Sequence, residues 1–261
     1  MITFTSAELN ALIATFFYPL TRILALLSAA PPYNNASVPV RVRLTLGLAI
    51  TMALAPAIGN TETLPAISLT SGASLLILAE QMLIGFAMGI SIRLVFAALD
   101  LAGNTFSTQM GLGFALSYDP TSSSQTAVVS ELIGILALLM FLGIDGHLLI
   151  LSTLAQSFHV LPIGVLPGSA SWANLANAGA IVFSSGLLLA LPIVVSLLIT
   201  NTALGVLARV SPQLNVIVVG FPITITLGFS ALYVCLPYLV GPLMQLFENG
   251  LHAMLGNFVI R

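Results

Sequence analysis

The sequence predicts an all-α integral membrane protein made of kinked helical hairpins. Three observations carry this. Only 5% of the 261 residues are charged, against about 25% in a soluble domain. Apolar residues make up 58%, and the mean hydropathy is +1.11. Long apolar runs recur along the chain, separated by short stretches rich in Pro, Gly, Asn and Ser. Between Asp145 and Arg209, and again between Arg209 and Glu248, the chain carries no Asp, Glu, Lys or Arg. A soluble globule needs polar surface along most of its length, so an ordinary water-soluble domain is excluded. Six arginines and no lysine, paired only at Arg41 and Arg43, leave no phosphate-neutralising stripe, which excludes nucleic acid as a partner. Lipid is the expected surrounding.

Each apolar run reads as helix, because backbone groups in lipid must pair internally and a span needs about 20 residues. The first helix is expected over 9–30, without the basic leader of a cleaved signal peptide. It stops at Pro31-Pro32, and Asn34, Asn35 and Ser37 form a turn. The second covers 38–58, with Pro39 in the first turn, where proline is tolerated. After a polar loop the third covers 73–103, longer than one span needs. The fourth, 126–144, is interrupted at Asp145-Gly146, and a fifth resumes over 147–161. The last two cover 172–208 and 214–246, separated by Arg209-Val210-Ser211-Pro212. Pro192, Pro222, Pro237 and Pro242 lie inside them and predict bends packed against protein more than lipid. Together the runs form one membrane domain over 1–261, with up to six spans.

Catalytic patterns are missing from this reading. His147, His159 and His252 share no i, i+4 spacing, so no H-E-x-x-H type metal site arises. Nothing selects one serine as a nucleophile, and Cys235, the single cysteine, reads as a small buried hydrophobe. The chain is therefore read as a non-enzyme without cofactor or metal. Charges inside apolar helices are expensive. Arg22, Glu80, Arg93, Asp100 and Glu131 are expected either to pair structurally or to mark an ion path. Gly85 and Gly89 form a GxxxG pattern that lets a second backbone approach; they are assigned to subunit packing.

The segment 104–125 is low in charge and rich in glycine, hydroxyls and spaced apolar residues. A disordered linker would lack Phe106, Met110, Leu112, Phe114, Leu116 and Tyr118. Gly111 and Gly113 allow tight turns. Such a segment either folds into a channel and seals it, or forms an ordered external loop with an apolar underside.

Four blocks together resemble one family, FliR of the type III export gate and its injectisome counterparts. They are Pro19-Leu-Thr-Arg22 with Ala30-Pro31 and Val38 to Arg43; Gln109 to Ala115 with Asp119-Pro120; Asp145-Gly-His147 leading to Ser157-Phe158 and Leu161 to Gly164; and Arg209 to Asn215 with Gly220-Phe-Pro222. They span nearly the whole chain in order. One departure is Asp145, where the family often has Asn. The resemblance implies a core subunit of the flagellar export gate in the bacterial inner membrane. FliP-like and FliQ-like subunits in several copies would form the channel with it, FlhB-like and FlhA-like components would join below, and unfolded exported polypeptides would pass through. It also implies a pore plug at 104–125, carried by Phe106, Gln109, Met110, Gly111, Leu112, Gly113, Phe114 and Leu116. Arg209, Gln213 and Asn215 form a polar turn expected to contact partner subunits. The alternatives are an injectisome subunit and a stand-alone membrane transporter.

Overall fold

A computed structural model of the chain describes residues 6–35, 37–58, 71–112, 128–211 and 216–258. They form helices α1 (Ser6–Ala29), α2 (Val40–Ile58), α3 (Gly72–Gln109), α4 (Val128–Gly143), α5 (Gly146–Val160), α6 (Ser169–Val210) and α7 (Val216–Gly256). Among the described residues there is no strand. The helical reading of an all-α membrane protein therefore holds. Among the described residues three helices, α3, α6 and most of α7, are long and apolar enough to cross a membrane, and α4 with α5 adds a fourth if the broken pair is one span.

Two helix ends differ from the sequence reading. α3 continues past Gly103 to Gln109, and α7 continues past Leu246 to Gly256. In both places the apolar run stops while the helix goes on. A helix needs only one apolar face, and beyond Leu246 that face is supplied by Phe247 and Met254, both fully buried. The prolines of α6 and α7 sit inside continuous helices.

Hydroxyl groups explain how these helices stay compatible with an apolar setting. Thr21, Thr51, Ser91, Thr105, Thr153, Ser196, Thr202 and Ser230 each donate to the carbonyl one turn back, at 2.7–3.1 Å. The polar group is thereby satisfied on its own helix and asks nothing of its surroundings.

The helices fold into two compact units. The first comprises residues 1–94, 144–178 and 248–261. Its interior holds Tyr18, Ile23, Leu26 and Leu27 of α1, Ile84, Met88 and Ile92 of α3, and Ile150, Leu154 and Phe158 of α5. The Tyr18 hydroxyl shares a 2.8 Å hydrogen bond with Ser74, and Trp172 meets Phe258 edge-on at 6.2 Å. The second unit comprises 95–143 and 179–247. Phe96, Phe141 and Phe247 form an aromatic triangle there, with centroids 5.1–5.8 Å apart. Gly186 lets α6 close on the Ala98 carbonyl, and Gly103 lets α3 close on Ser130 of α4; a methyl group at these glycines would stand 2.7 and 2.5 Å from those atoms.

The break before α5 is made by Asp145, which lies in the left-handed region at φ 56°, ψ 28°. Its carbonyl starts the helix by accepting from Leu148 and Leu149 at 2.9 and 3.1 Å. Asp and Asn are the non-glycine residues that adopt this conformation most readily, so the exchange of Asn for Asp noted above leaves the turn intact. Asp145→Val should cost about 1–2 kcal/mol, whereas Asp145→Asn and Asp145→Gly should be neutral. Melting of the detergent-purified protein distinguishes the two outcomes.

Candidate functional site

The expected plug begins where α3 ends, so the site is built from that terminus. Gly111 has φ 80°. Its amide donates to the Thr108 carbonyl at 3.1 Å, and the Leu112 amide donates to Ser107 at 3.0 Å. This pair of bonds is a Schellman closure, in which a left-handed glycine satisfies the last carbonyls of a helix. Gly111 is thus the stop signal of α3, and Gly103, inside the helix, is a packing glycine. The segment before the glycine is firmly seated. Phe106 and Met110 are each 1% exposed, and the Met110 side chain lies across Gly228 of α7, where a methyl group would meet its Cγ at 2.5 Å. The Thr224 hydroxyl donates to the Met110 carbonyl at 3.2 Å and to Phe221 at 3.0 Å. The Phe221 ring sits beside Gly111, 3.5 Å from where a methyl group would be.

Phe106 and Gln109 are helical, and Phe106 and Met110 are packed inside the second unit, where they anchor the end of α3. Gly111 and Leu112 form the turn out of the anchor. Gly113, Phe114 and Leu116 lie outside the described residues. Sequence reasoning missed Phe221, Thr224 and Gly228; the available signal was that Gly228 and Thr224 fall one turn apart on one face of α7.

The charged residues separate clearly. Arg22 is fully buried in the first unit. Its Nε donates to Gln81 Oε1 at 2.8 Å, Nη1 to the Ser157 carbonyl and hydroxyl at 3.0 and 3.1 Å, and Nη2 to the Leu161 carbonyl at 2.9 Å. Its guanidinium lies 4.3 Å from the centroid of Phe158. Every partner is neutral. Ser157 lies in the last turn of α5 and Leu161 is the residue that caps it, where the partial negative charge of a helix C-terminus gathers, and the fork of the guanidinium suits several acceptors at once. Arg22 is therefore a structural clamp joining α1, α3 and α5, which resolves it in favour of the structural alternative. Arg93, Asp100 and Glu131 are exposed.

Gly85 and Gly89 meet α1 of the same chain. A methyl group at Gly85 would collide with the carbonyl oxygen of Arg22, and one at Gly89 would stand 2.6 Å from the Ala29 methyl and 2.9 Å from the Leu26 carbonyl. The close approach assigned to another subunit is made within the first unit, because α1 returns along that face. Arg209 is exposed in the last turn of α6, where a cation complements the helix C-terminus. Gln213 and Asn215 lie outside the described residues.

Comparison with known proteins agrees with the blocks that carried the resemblance. Residues 13–250 match the family described as bacterial export proteins, family 1. The chain is 45% identical over 238 residues to the flagellar biosynthetic protein FliR of Pectobacterium carotovorum subsp. carotovorum, covering 91% of this chain and 90% of that one. It is 38% identical over 260 residues to FliR of Escherichia coli K12, covering 99% and 98%. To FliR of Bacillus subtilis it is 28% identical over 247 residues, covering 93% and 94%.

Proposed function

This chain belongs to the FliR family of bacterial export proteins, a component of flagellar type III protein export with membrane-spanning helices, and on that premise we propose that it is a core subunit of the export gate. In this reading it sits in the bacterial inner membrane with several FliP-like and FliQ-like subunits, and FlhB-like and FlhA-like components join the same apparatus. Unfolded flagellar polypeptides pass through the channel these subunits enclose. The chain supplies walls and a seal and catalyses nothing; energy comes from other components. Arg209 and the polar turn after it face a neighbouring subunit.

The observation that carries the seal is the anchored turn at Met110–Leu112. A gate segment must be held firmly at its base and be free of large desolvated charges along its length. The base is supplied by Met110 over Gly228 and by the Thr224 hydrogen bond. From Gly113 to Gln125 the sequence carries one charge, Asp119. An apolar constriction blocks ions by dewetting without a charged filter, and glycines at its root let it swing when a polypeptide arrives.

Deleting Gly113 to Leu116 leaves the anchor intact and removes the centre of the segment. In an otherwise intact assembly, ion leak across the inner membrane should rise well above that of the parent strain. A membrane that stays tight places the seal in another subunit.

A further inference from the structure

Within the first unit α1 and α3 run in the same direction, with Gly85 against Arg22 and Gly89 against Ala29. Beside this contact lies a groove of about 630 Å³, lined by Thr21, Leu24, Ala25 and Ser28 of α1 and by Met82 and Phe86 of α3. Its volume falls among those of small-molecule clefts, about 300–1,000 Å³. The Thr21 hydroxyl donates to the Phe17 carbonyl at 2.8 Å, and the Ser28 hydroxyl to the Ala25 carbonyl at 2.7 Å. Both hydroxyls are therefore satisfied on their own helix, and the groove asks for an apolar occupant. Met82 and Phe86 remain half-exposed in it.

One end of the groove is cationic, from the helices on both sides of α1. On α3, Met82, Phe86 and Arg93 share one stripe at i, i+4 and i+11, so the lining leads to Arg93, which is exposed. On α2, Arg43, Gly47 and Thr51 follow one another a turn apart. A methyl group at Gly47 would stand 2.5 Å from Leu24 Cδ2, and Thr51 is buried, so this face meets α1. Because α2 returns antiparallel to α1, Arg43 stands level with Ser28. Its Nε is buried without a partner, and Arg41 is exposed in the same turn. Among the described residues none of these three arginines forms an ion pair. The Tyr33 hydroxyl donates to the His147 carbonyl at 3.5 Å, which brings one carboxylate, Asp145, to this end against three cations. Glu80 lies thirteen residues before Arg93, about 20 Å away along α3.

The arginines also stand at the level of the polar turn that holds Asn34, Asn35 and Ser37, where the α1–α2 hairpin leaves its apolar layer. A groove that is apolar along its length and cationic at that level complements an amphiphile. We propose that it binds an anionic phospholipid, with one acyl chain along the groove between α1 and α3 and the phosphate held by Arg43 and Arg93. The guanidinium fork suits phosphate oxygens, and anionic headgroups gather basic side chains at the membrane surface. An apolar helix in the groove would leave the arginines without an anion, and free phosphate would leave Met82 and Phe86 uncovered. The site requires only that the chain lies in a membrane; it is independent of the gate and of the plug.

The test uses the purified assembly in nanodiscs containing a trace of phosphatidylglycerol or of phosphatidylcholine, each with the same diazirine in mid-chain. Peptides covering Thr21–Ser28 and Met82–Phe86 should be labelled about tenfold more by phosphatidylglycerol. Equal labelling by the two lipids marks ordinary surrounding lipid and overturns the proposal, as does the absence of label from both peptides; this comparison needs no variant. Arg43→Gln with Arg93→Gln should lower phosphatidylglycerol labelling to the phosphatidylcholine level and leave the latter as it was, whereas a preserved preference overturns the assignment of the headgroup. Inorganic phosphate, compared with chloride at equal ionic strength, should not reduce the labelling; a selective loss would make this a free-phosphate site and overturns the proposal. A photo-crosslinking amino acid at Phe86 should capture lipid. Capture of another subunit alone overturns the lipid site and leaves the export reading standing.

Discussion

Arg22→Ala should remove most of the chain from the membrane fraction. The guanidinium serves four acceptors from α3, α5 and the residue capping α5 inside the first unit, and alanine leaves the Leu161 carbonyl and Gln81 Oε1 without their donor. Each buried neutral acceptor left without its donor costs about 1–3 kcal/mol, and the space vacated by the large side chain adds a cavity cost. Whole domains are stable by only about 5–15 kcal/mol, so a loss of this size shifts the population heavily toward unfolded and degraded chain. The expected order of steady-state level and of melting in detergent is Arg22 above Arg22→Lys above Arg22→Ala. Lysine keeps the charge at the α5 C-terminus but cannot reach three directions with one ammonium. If Arg22→Lys behaves as the parent, charge alone holds the site and the fork is irrelevant. If Arg22→Ala melts as the parent, the clamp contributes nothing to stability.

Gly85→Ala is expected to be comparably severe, although it adds a single methyl group. The obstacle is the backbone carbonyl of Arg22, which cannot rotate aside as a side chain end does. Accommodating the methyl forces α1 and α3 apart, and that displacement also pulls Arg22 away from Gln81. Overpacking a rigid site costs typically about 1–3 kcal/mol, and coupling to the clamp places this case at the upper end. Gly72 offers an internal control, since nothing lies within 4 Å of a methyl group there; Gly72→Ala should melt as the parent. Swimming motility and chain level should fall together for Gly85→Ala and remain normal for Gly72→Ala. Equal behaviour of the two variants would mean that α1 and α3 are not in close contact in the assembled protein. The pair Gly85→Ala and Arg22→Ala should also combine less than additively, because both act on one contact.

The four sequence blocks acquire a physical meaning once the helices are placed. The first block contains Arg22, and the third contains Ser157, Phe158 and Leu161; these meet in the clamp of the first unit. The second block contains Met110 and Gly111, and the fourth contains Phe221; these meet in the anchor of the second unit. Residues far apart in the chain are thus grouped by contact, one pair of blocks in each unit.

Membrane character and helical architecture were readable from residues alone, because both depend on quantities summed along the chain: apolar length, scarcity of charge, and the need of every buried amide to pair nearby. The break at Asp145 was readable for the same reason, as a local conformational preference. The roles of individual glycines were not. Gly103 and Gly111 differ in no property of their own; one admits Ser130 and the other closes a helix, and only the crossing of α4 and the left-handed backbone tell them apart. Likewise a GxxxG face announces that some backbone comes close without saying whose, and here α1 of the same chain occupies it. Arg22 is the clearest instance. Its cost in an apolar helix was evident from sequence, but its partners are carbonyls at the end of α5, which become acceptors only when that helix terminates beside it.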